Sequence, residues 1–467
     1  MNINLVKIKT EQIFYIIFLL IFFLSIINSF YQIKNFDKFS ISTFSTPRHQ
    51  LIDGDIDFFW REGNDLTQDL LNGQNYFQIG EEYRRPYLPS RLFSLYSFLS
   101  SEKLIDENDK VVIGGKKIFF LLTQSIIFYS LLLFLYKELL NFFSKLNSQL
   151  CIIFLAIEPT IFMYHSSFWS ESIFFSLLLV IIILILKNDY SYKILFLLGL
   201  SLGILYLQRS VAIFYIFPIF IYFFFNNKNF FLRSVFFVSL GYLLVHFFIG
   251  YHNYTRIGVF YTTSTQAKDG FYMYLAPYIL SKNLEISKDE ASKTLVQKKI
   301  NWANENKINL NLEKDRLIYY DYQKNEAIKI LIKNPVNTFL VIAKKTLHFF
   351  VIDPLTHVYY FHRWNFDDGF FYKSEEHKKW IIPRIFYSIF IYFFCFLGFV
   401  LLYKNKECKH FHLFLSLSIL YFTAVQSWYG GTRYFTPILI FLSFLFANGF
   451  SYLLKKMIFL KTKKINN

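Results

Sequence analysis

Cysteine is scarce in this chain, and its three copies do not form a recognisable cysteine site. Cys151, Cys395 and Cys408 fall in or beside apolar stretches, without CxxC spacing and without a pair in a polar loop. This distribution supports neither a disulfide framework nor a thiolate metal site. The sequence also lacks a P-loop, GxGxxG, HExxH or GxSxG motif, internal repeats and low-complexity linkers, so the common nucleotide-binding, zinc-peptidase and serine-hydrolase signatures do not apply.

Long apolar runs are what the chain has in abundance. Of its 467 residues, 54% are hydrophobic and 22% aromatic, a composition typical of membrane proteins. A bilayer core is spanned by about 20 apolar residues in a helix. The sequence therefore predicts an all-α polytopic membrane protein, a single membrane domain over residues 1–467 with about ten transmembrane helices. The predicted spans cover residues 13–31, 117–136, 149–165, 169–186, 194–208, 211–226, 233–250, 381–403, 411–427 and 433–454.

Positive charge marks one side of the predicted membrane domain. The net charge of +16 would suggest a nucleic-acid partner in a soluble protein, but here Lys and Arg gather in short turns between spans and in the C-terminal tail. We therefore expect no nucleic acid, and we place those turns and both termini in the cytoplasm. The first span is followed directly by FYQIKNF, without a small-residue cleavage site, so we expect it to be retained as a helix.

Two long segments are then predicted on the outer side, residues 32–113 and 251–380. The first contains LTQDLLNG, which has the spacing of a short amphipathic surface helix ended by glycine. In the second, Lys344 and Lys345 lie in the middle of 335–354, where each charge would cost ~2.5–3.5 kcal/mol inside a bilayer. We therefore predict an interfacial helix there. The remaining charged helices of this segment are predicted either to cover a cavity or to form a solvated helix pair.

Acidic residues in the first outer segment are the main candidates for catalysis. Asp53, Asp55 and Asp57 alternate in GDID, just before the aromatic run FFW. A carboxylate held near the bilayer becomes a better base when burial raises its pKa, although Asp and Gly also form ordinary solvated turns. We favour catalysis, with Asp55 and Asp57 as the catalytic residues and Asp53 in a supporting position.

Paired arginines follow in the same segment. Arg84 and Arg85 precede two prolines that favour an extended path. A guanidinium group forks bidentately onto phosphate oxygens, so the pair is suited to a lipid-linked phosphate. Attraction to the headgroups of membrane lipids is the alternative.

Further ionisable residues flank the predicted outer turns. Glu158 and Glu171 lie in IEPTIFMYHSSFWSES, where we expect each to cap a helix, pair with an arginine or line a water-filled cavity. Arg209 in LQRS, and Arg433 with Tyr434 in GGTRYFTP, occupy outer boundaries of later spans. Both arginines are predicted to join the phosphate site, with snorkelling to lipid headgroups as the alternative.

The order of these motifs resembles that of a known superfamily. GDID, YRRPYLP, IEPTIFMYHSSFWSES, LQRS, HNYTRIGVFYTTS and GGTRYFTP follow one another along nearly the whole chain. In this they resemble GT-C membrane glycosyltransferases, especially bacterial relatives of protein O-mannosyltransferases and the aminoarabinose transferases of lipid A. The resemblance implies a polyprenyl-phosphate sugar as donor and a glycan, lipid or protein hydroxyl as acceptor. It further implies transfer on the outer face of the bacterial inner membrane, with Asp55 or Asp57 as base.

The chain departs from that pattern in two places. Where the aminoarabinose transferases have E-K-P-P-L, residues 84–88 read RRPYL, so the role of that glutamate is not carried over. Glu81 or Glu82 is the nearest substitute, and we place Glu82 among the supporting residues. Gly54 and Ile56 separate acids that are neighbours in the family. No cofactor is predicted with certainty, and a divalent metal stays open because the aspartates are hard oxygen ligands.

The expected chemistry follows from the charges. Preplaced arginines stabilise the negative charge that develops on the leaving phosphate, while a carboxylate takes the proton of the acceptor hydroxyl. Two other classes remain as alternatives. A transporter or flippase of lipid-linked sugars should have broken helices in matching halves and charges near the midplane, whereas an O-antigen polymerase or ligase should have its essential charges in late loops.

Overall fold

The computed structural model describes residues 2–36, 55–79, 86–103, 115–264, 266–351, 375–405, 408–429 and 432–465. Across these ranges the regular elements are helices, with no strand among them, which confirms the all-α prediction. The α-helices are α1 (Asn2–Phe36), α2 (Asp55–Leu71), α3 (Tyr87–Ser100), α4 (Ile118–Leu139), α5 (Lys145–Ile157), α6 (Pro159–His165), α7 (Ser170–Leu186), α8 (Tyr192–Gln208), α9 (Ile216–Asn226), α10 (Phe231–Ile257), α11 (Gln266–Tyr274), α12 (Ala276–Leu284), α13 (Lys288–Glu305), α14 (Glu313–Lys333), α15 (Pro335–Phe349), α16 (Glu375–Lys404), α17 (Lys409–Gln426) and α18 (Thr436–Ile465).

Several of these helices have the length and composition needed to cross a membrane. In the described ranges there are five, and a sixth if the bent pair α5–α6 counts as one span. These helices are compatible with a multi-pass membrane protein. The other predicted spans are also helical, but α7, α8 and α9 are shorter, so the number of ten crossings stays a prediction. The five are Glu11–Tyr31, Ile118–Leu139, Lys228–Ile257, Ile381–Lys404 and Thr436–Leu460.

The first helix illustrates why these segments suit lipid. Phe14, Phe18, Ile21, Ser25 and Asn28 are buried, at the three- and four-residue spacing of one helix face. The remaining faces expose large apolar side chains from residue 13 to residue 30. A surface helix of a soluble protein would be polar there, so α1 has the surface expected for contact with hydrocarbon.

The long helices of the bundle alternate in direction, apart from the bent pair α5–α6, so that the predicted cytoplasmic turns lie at one end of the bundle and the predicted outer turns at the other. At the first end, Lys145 forms an ion pair of 2.6 Å with Glu11. At the second end, Nε2 of Gln208 donates to the carbonyl oxygen of Ser170 at 2.8 Å. This alternation brings the candidate residues of distant outer turns to the same end.

Helices α8 and α10 are in backbone contact through two glycines. A Cβ on Gly241 would lie 2.4 Å from the carbonyl oxygen of Phe196, and one on Gly199 would lie 2.2 Å from that of Val238. Small residues allow membrane helices to approach this closely. The contact fixes the direction of α8, and therefore the position of Arg209 directly after its last residue.

The first outer segment forms a hairpin of α2 and α3. Because α3 begins at Tyr87 and contains Pro89 in its first turn, the extended path predicted across the two prolines is wrong beyond Pro86. As the LTQDLLNG pattern predicted, α2 ends at Leu71, and Gly73 follows with a φ of +78°, a conformation that favours glycine. Thr67 and Ser94 join the two helices through their hydroxyls at 3.0 Å. The hairpin packs on the turn before α7, where the rings of Trp60 and Phe168 are 5.0 Å apart.

In the second outer segment, α15 occupies most of the predicted interfacial stretch. Its 15 residues extend about 22 Å, less than the thickness of a bilayer core. Val341 and Phe349 are buried, whereas Val336, Phe339 and Leu347 are exposed on another face. This amphipathic distribution is typical of interfacial helices, and the position of α15 relative to the membrane stays a prediction.

Candidate functional site

Several predicted site residues lie wholly or partly outside the described part of the chain. Asp53, Glu82, Arg84 and Arg85 lie outside it altogether. For Asp55, Asp57 and Arg433 the structure describes the backbone but not the side chain. The backbone of both aspartates belongs to the first turn of α2, so this stretch is helical and not the solvated turn considered as an alternative. The catalytic and phosphate-binding roles of these residues stay predictions.

A buried ion pair joins two of the remaining predicted residues. Glu171 lies in the first turn of α7, and Arg209 follows the last residue of α8 with an extended backbone. Because α7 and α8 are antiparallel neighbours, these ends meet, and Arg209 Nη1 lies 3.0 Å from Glu171 Oε1. Glu171 is thus seen paired with an arginine, one of the three arrangements considered from sequence. The other guanidinium nitrogens of Arg209 have no hydrogen-bond partner in the described ranges.

Two aromatic rings hold the same guanidinium group. Its central carbon lies 5.8 Å from the ring centroid of Tyr434 and 5.5 Å from that of Phe174. Both distances are in the range of cation–π attraction. The structure therefore brings together three predicted residues, Glu171, Arg209 and Tyr434, from the turns before α7, after α8 and before α18.

Buried amides near this pair were missed from sequence. Gln208 uses Nε2 on the carbonyl oxygen of Ser170, but its Oε1 has no partner in the described ranges. Gln426 is fully buried, and neither atom of its amide is hydrogen-bonded there. It lies one turn beyond Phe422, whose ring contacts that of Phe174. Buried polar groups normally have hydrogen-bond partners. Gln208, a polar residue that ends an apolar run next to the candidate Arg209, could therefore have been recognised from the sequence.

Glu158 does not lie with Glu171 and Arg209. It lies at the break between α5 and α6, which bend by 58°, and not at the outer turn itself. Its carboxylate caps α6 by accepting from the backbone N–H of Ile161 at 2.9 Å, and it accepts from the hydroxyls of Thr160 and Tyr387, each at 3.2 Å. The seven residues of α6, about 10 Å of helix, separate it from the outer turn. Its capping is observed, and the described contacts do not link it to Arg209.

A second buried ion pair, also missed from sequence, lies inside the first outer segment. Glu62 of α2 pairs with Arg91 of α3, and the Arg91 guanidinium carbon lies 4.1 Å from the ring centroid of Tyr87. The Tyr87 hydroxyl is hydrogen-bonded to that of Tyr76. Burial raises the pKa of Tyr87, and this outweighs the opposing effect of the Arg91 charge. Tyr87 therefore keeps its proton at neutral pH.

The last turn of α10 contacts both outer segments. His252 Nε2 lies 3.0 Å from the carbonyl oxygen of Tyr76 in the first segment and can donate to it. Four residues on, Arg256 forms an ion pair with Glu313 of α14. Tyr261 donates to the same carboxylate at 2.7 Å. These contacts join both outer segments to one helix end.

A narrow cleft lies between these elements. Its empty space of about 250 Å³ includes open solvent, and the enclosed part has room for about one water molecule. Among the described residues that line it, none is acidic or basic. Two predicted phosphate-binding arginines adjoin its wall along the chain, because Arg85 precedes Pro86 and Arg209 precedes Ser210. The lining residues are Pro86, Tyr87, Tyr206, Leu207, Ser210, Ile249, Thr262 and Ser264.

The metal-binding prediction concerns acids that lie outside the described side chains. Among them, no three His, Cys, Asp or Glu residues are grouped so that they could hold an ion. Asp53, Asp55 and Asp57, the acids considered as metal ligands, do not belong to that set. The question of a divalent metal therefore stays open.

Comparison with known proteins identifies no family for this chain. The resemblance to GT-C glycosyltransferases therefore depends on the sequence motifs, and membership of that superfamily stays a prediction. Neither a protein-family model nor a curated protein matches the chain.

Proposed function

We propose that this protein is an integral membrane glycosyltransferase that moves a sugar from a polyprenyl-phosphate donor to an acceptor hydroxyl on the outer face of the bacterial inner membrane. The observation that carries the proposal is the convergence of Glu171, Arg209 and Tyr434 at the bundle end where the predicted outer turns meet. An arginine held in place by a carboxylate and a ring is preorganised to bind an anion. Preorganised donors stabilise charge that develops during a reaction.

In the proposed reaction, each group has one task. Arg209, with Arg433 and the pair Arg84 and Arg85, binds the phosphate of the lipid. The acceptor oxygen forms a bond to the anomeric carbon as the bond from that carbon to the phosphate oxygen breaks. The electron pair leaves with the polyprenyl phosphate, and the proton of the acceptor goes to an aspartate of the first outer segment, Asp55 or Asp57. A β-linked donor then gives the inverted anomer.

Exposed apolar side chains on the predicted outer side support a lipid-linked donor. Phe247, Tyr251 and Tyr254 stay exposed near the outer end of α10, and Phe98 and Leu99 stay exposed at the end of α3. Aromatic residues are enriched where helices meet the membrane interface. A polyprenyl chain could lie against these side chains while its phosphate reaches the arginine.

A transporter or flippase of lipid-linked sugars is the second candidate, because Glu158 lies at a break in an apolar helix. Transporters of this kind pair such breaks in two related halves. The described ranges contain one bent pair, and the Glu158 carboxylate is already engaged by α6 and Tyr387. The glycosyltransferase is therefore the better supported of the two.

The test is transfer by the purified protein in lipid nanodiscs, with polyprenyl-phosphate mannose, glucose and aminoarabinose as donors. Arg209→Gln should abolish release of polyprenyl phosphate and labelling of the acceptor. Arg233→Gln is the matched control, because Arg233 is exposed at the opposite end of the bundle. Full activity of Arg209→Gln would contradict the phosphate site. Movement of the intact donor across vesicle membranes without transfer would favour the flippase.

A further inference from the structure

One face of α15 is apolar and exposed. Its members are spaced three, four and seven residues apart, so they form one stripe along the helix. This apolar stripe consists of Val336, Phe339, Leu340 and Leu347, each more than half exposed. Val341 and Phe349 are buried on the other side of the helix. Contiguous exposed apolar side chains mark a surface that contacts a membrane or a partner, so the stripe calls for an occupant.

The C-terminal end of α15 is attached to the bundle where the predicted outer turns lie. Thr346 Oγ1 donates to the hydroxyl of Ser427, directly after α17, at 3.0 Å. The ring centroid of Phe349 lies 5.3 Å from that of Phe435, directly before α18. Because α18 is one of the candidate membrane spans, from Thr436 onward, this end of α15 lies at the level where that span begins. The occupant closest at hand is therefore the membrane surface.

Two lysines meet at one aromatic ring beside α15. The Nζ atoms of Lys345 and Lys288 lie 4.4 Å and 4.6 Å from the ring centroid of Tyr278 on α12. Within the described ranges, neither ammonium group forms an ion pair with a carboxylate. Glu290, in the first turn of α13 with Lys288, is engaged in capping that helix. The two positive charges are therefore held together without a neutralising partner.

The charge of one lysine acts on the other. Burial, and after it the charge of Lys288, lower the pKa of Lys345 to about 8, so Lys345 stays mainly charged at neutral pH. Its Nζ also donates to the carbonyl oxygen of Tyr274 at 3.1 Å, which fixes its position. An anion placed between the two ammonium groups would offset their repulsion. Lysine binds phosphate as a point charge, so a phosphate group is a suitable anion.

The lysine and the apolar stripe occupy opposite faces of α15. Lys345 comes two residues before Leu347, about 200° around the helix. Exposed Lys344 adds a further positive charge between the two faces. This is the arrangement of an interfacial amphipathic helix, whose apolar face enters the boundary of the acyl chains while its cationic face meets the headgroups. Charge and apolar surface therefore favour the same occupant, an anionic lipid.

We propose that α15 lies in the outer membrane interface and that Lys288 and Lys345 together bind the phosphate of an anionic phospholipid headgroup. A zwitterionic headgroup has the same phosphate but adds a cation, which the two ammonium groups would repel. The site should therefore select lipids by the net charge of the headgroup. This inference is independent of the proposed function, because it assigns no role in sugar transfer.

Native mass spectrometry of the full-length protein in detergent counts the lipid molecules that stay bound. The probes are phosphatidylglycerol and phosphatidylcholine with the same acyl chains. The wild type should retain phosphatidylglycerol preferentially. Lys288→Gln combined with Lys345→Gln should weaken the tightest phosphatidylglycerol site by roughly 30-fold, because each lysine beside anionic lipid contributes about fivefold. Binding of phosphatidylcholine should not change.

The matched control removes two positive charges elsewhere on the second outer segment. Lys293 of α13 and Lys324 of α14 are both exposed, and Lys293→Gln combined with Lys324→Gln should bind phosphatidylglycerol as the wild type does. Thermal unfolding separates binding from folding, because a ligand raises the unfolding temperature of the protein that binds it. Phosphatidylglycerol should raise that temperature in the wild type and the control but not in the Lys288 and Lys345 double variant.

A spin label tests the position of the apolar stripe. The three native cysteines are buried, so a nitroxide can be attached through Phe339→Cys, with Lys293→Cys as the reference. In nanodiscs, the label at position 339 should collide with oxygen more than with a water-soluble nickel complex, and the label at position 293 should do the reverse. Equal access of the nickel complex to both labels would overturn the contact of α15 with the membrane.

The remaining outcomes decide the lysine site. Unchanged phosphatidylglycerol binding in the Lys288 and Lys345 double variant, or an equal loss in the control, overturns it. Displacement of phosphatidylglycerol by an equal concentration of inorganic phosphate would show that the site takes a free anion, and the assignment to a lipid would be wrong. Absence of sugar transfer with every donor tested would overturn the proposed function alone.

Discussion

Arg209 Nη1 and Glu171 Oε1 are 3.0 Å apart, and their side chains are only 8% and 0% exposed. Desolvating two charges is unfavourable, and their mutual attraction offsets this cost only in good geometry. Here the pairing sets the orientation of the guanidinium group, while Phe174 and Tyr434 lie against its carbon. Substitutions in this pair therefore test both the stability of the fold and the proposed reaction.

Removing one partner of this pair should destabilise the protein more than removing both. Glu171→Ala leaves a buried uncompensated arginine, and we expect a loss of about 3–5 kcal/mol in the free energy of unfolding. Glu171→Leu combined with Arg209→Met should recover most of that loss. Unfolding in detergent, analysed as a double-mutant cycle, measures the coupling. Simple additivity of the single substitutions would show that the two side chains do not interact.

Replacing Arg209 by lysine should impair transfer although the charge is kept. Lysine cannot fork onto two phosphate oxygens, and loss of a preorganised donor to developing charge typically costs about 10²–10³ in kcat. We expect a decrease of at least ~10² in kcat/KM for the glycosylated donor. Initial rates of polyprenyl phosphate release measure it, with Arg233→Lys as control. Equal rates for Arg209→Lys and the wild type would remove the bidentate contact from the mechanism.

The contact of α8 with α10 should not tolerate even a methyl group. A Cβ on Gly241 would overlap the carbonyl oxygen of Phe196, and overpacking of this kind typically costs 1–3 kcal/mol. Gly241→Ala should therefore lower the unfolding temperature and, by moving α8, reduce activity. Leu240→Ala alters the exposed neighbour and should have a smaller effect on both. An unchanged unfolding temperature for Gly241→Ala would mean that the helices are further apart than described.

Because of Lys345, the free energy of unfolding should change with pH in the alkaline range. Burial, aided by the charge of Lys288, lowers the pKa of Lys345 to about 8 from 10.5. The unfolded chain therefore binds more protons between pH 8 and 10.5, so stability should rise with pH through this window and the penalty should be complete below it.

Lys345→Met should remove that rise. The rise is measured as the difference between the unfolding temperatures at pH 7 and pH 10. Comparing this difference between the variant and the wild type cancels the contribution of the other groups that titrate in this range. Lys282→Met, at an exposed position, is the control and should keep the wild-type slope. A wild-type slope in Lys345→Met would assign the rise to other groups.

The helices were predictable because apolar runs are local features of the sequence. The predicted span 381–403 falls inside α16 (Glu375–Lys404), and the glycine after LTQDLLNG indicated where α2 ends. The prediction of one continuous third span over 149–165 is wrong, because the helix is broken there. Pro159 was the available signal, since the residue before a proline avoids helical geometry, and the chain breaks at Glu158.

The candidate site was predictable only as a set of elements that share one end of the bundle. Alternating spans place the turns before α7, after α8 and before α18 together, which is why Glu171, Arg209 and Tyr434 could be grouped from sequence. Which carboxylate meets which guanidinium depends on helix rotation and packing, and these are not local properties. The Glu62–Arg91 pair was missed for that reason, although both residues lie in the segment that contains the candidate catalytic acids.

The end of α10 has a mechanical consequence. His252 and Arg256 are four residues apart, about 6 Å along the axis, and they bind the first and the second outer segment respectively. A small tilt of this one helix would carry both outer segments in the same direction. A joint displacement of the two segments would then require a single pivot, at the glycine contact with α8, and not two independent hinges.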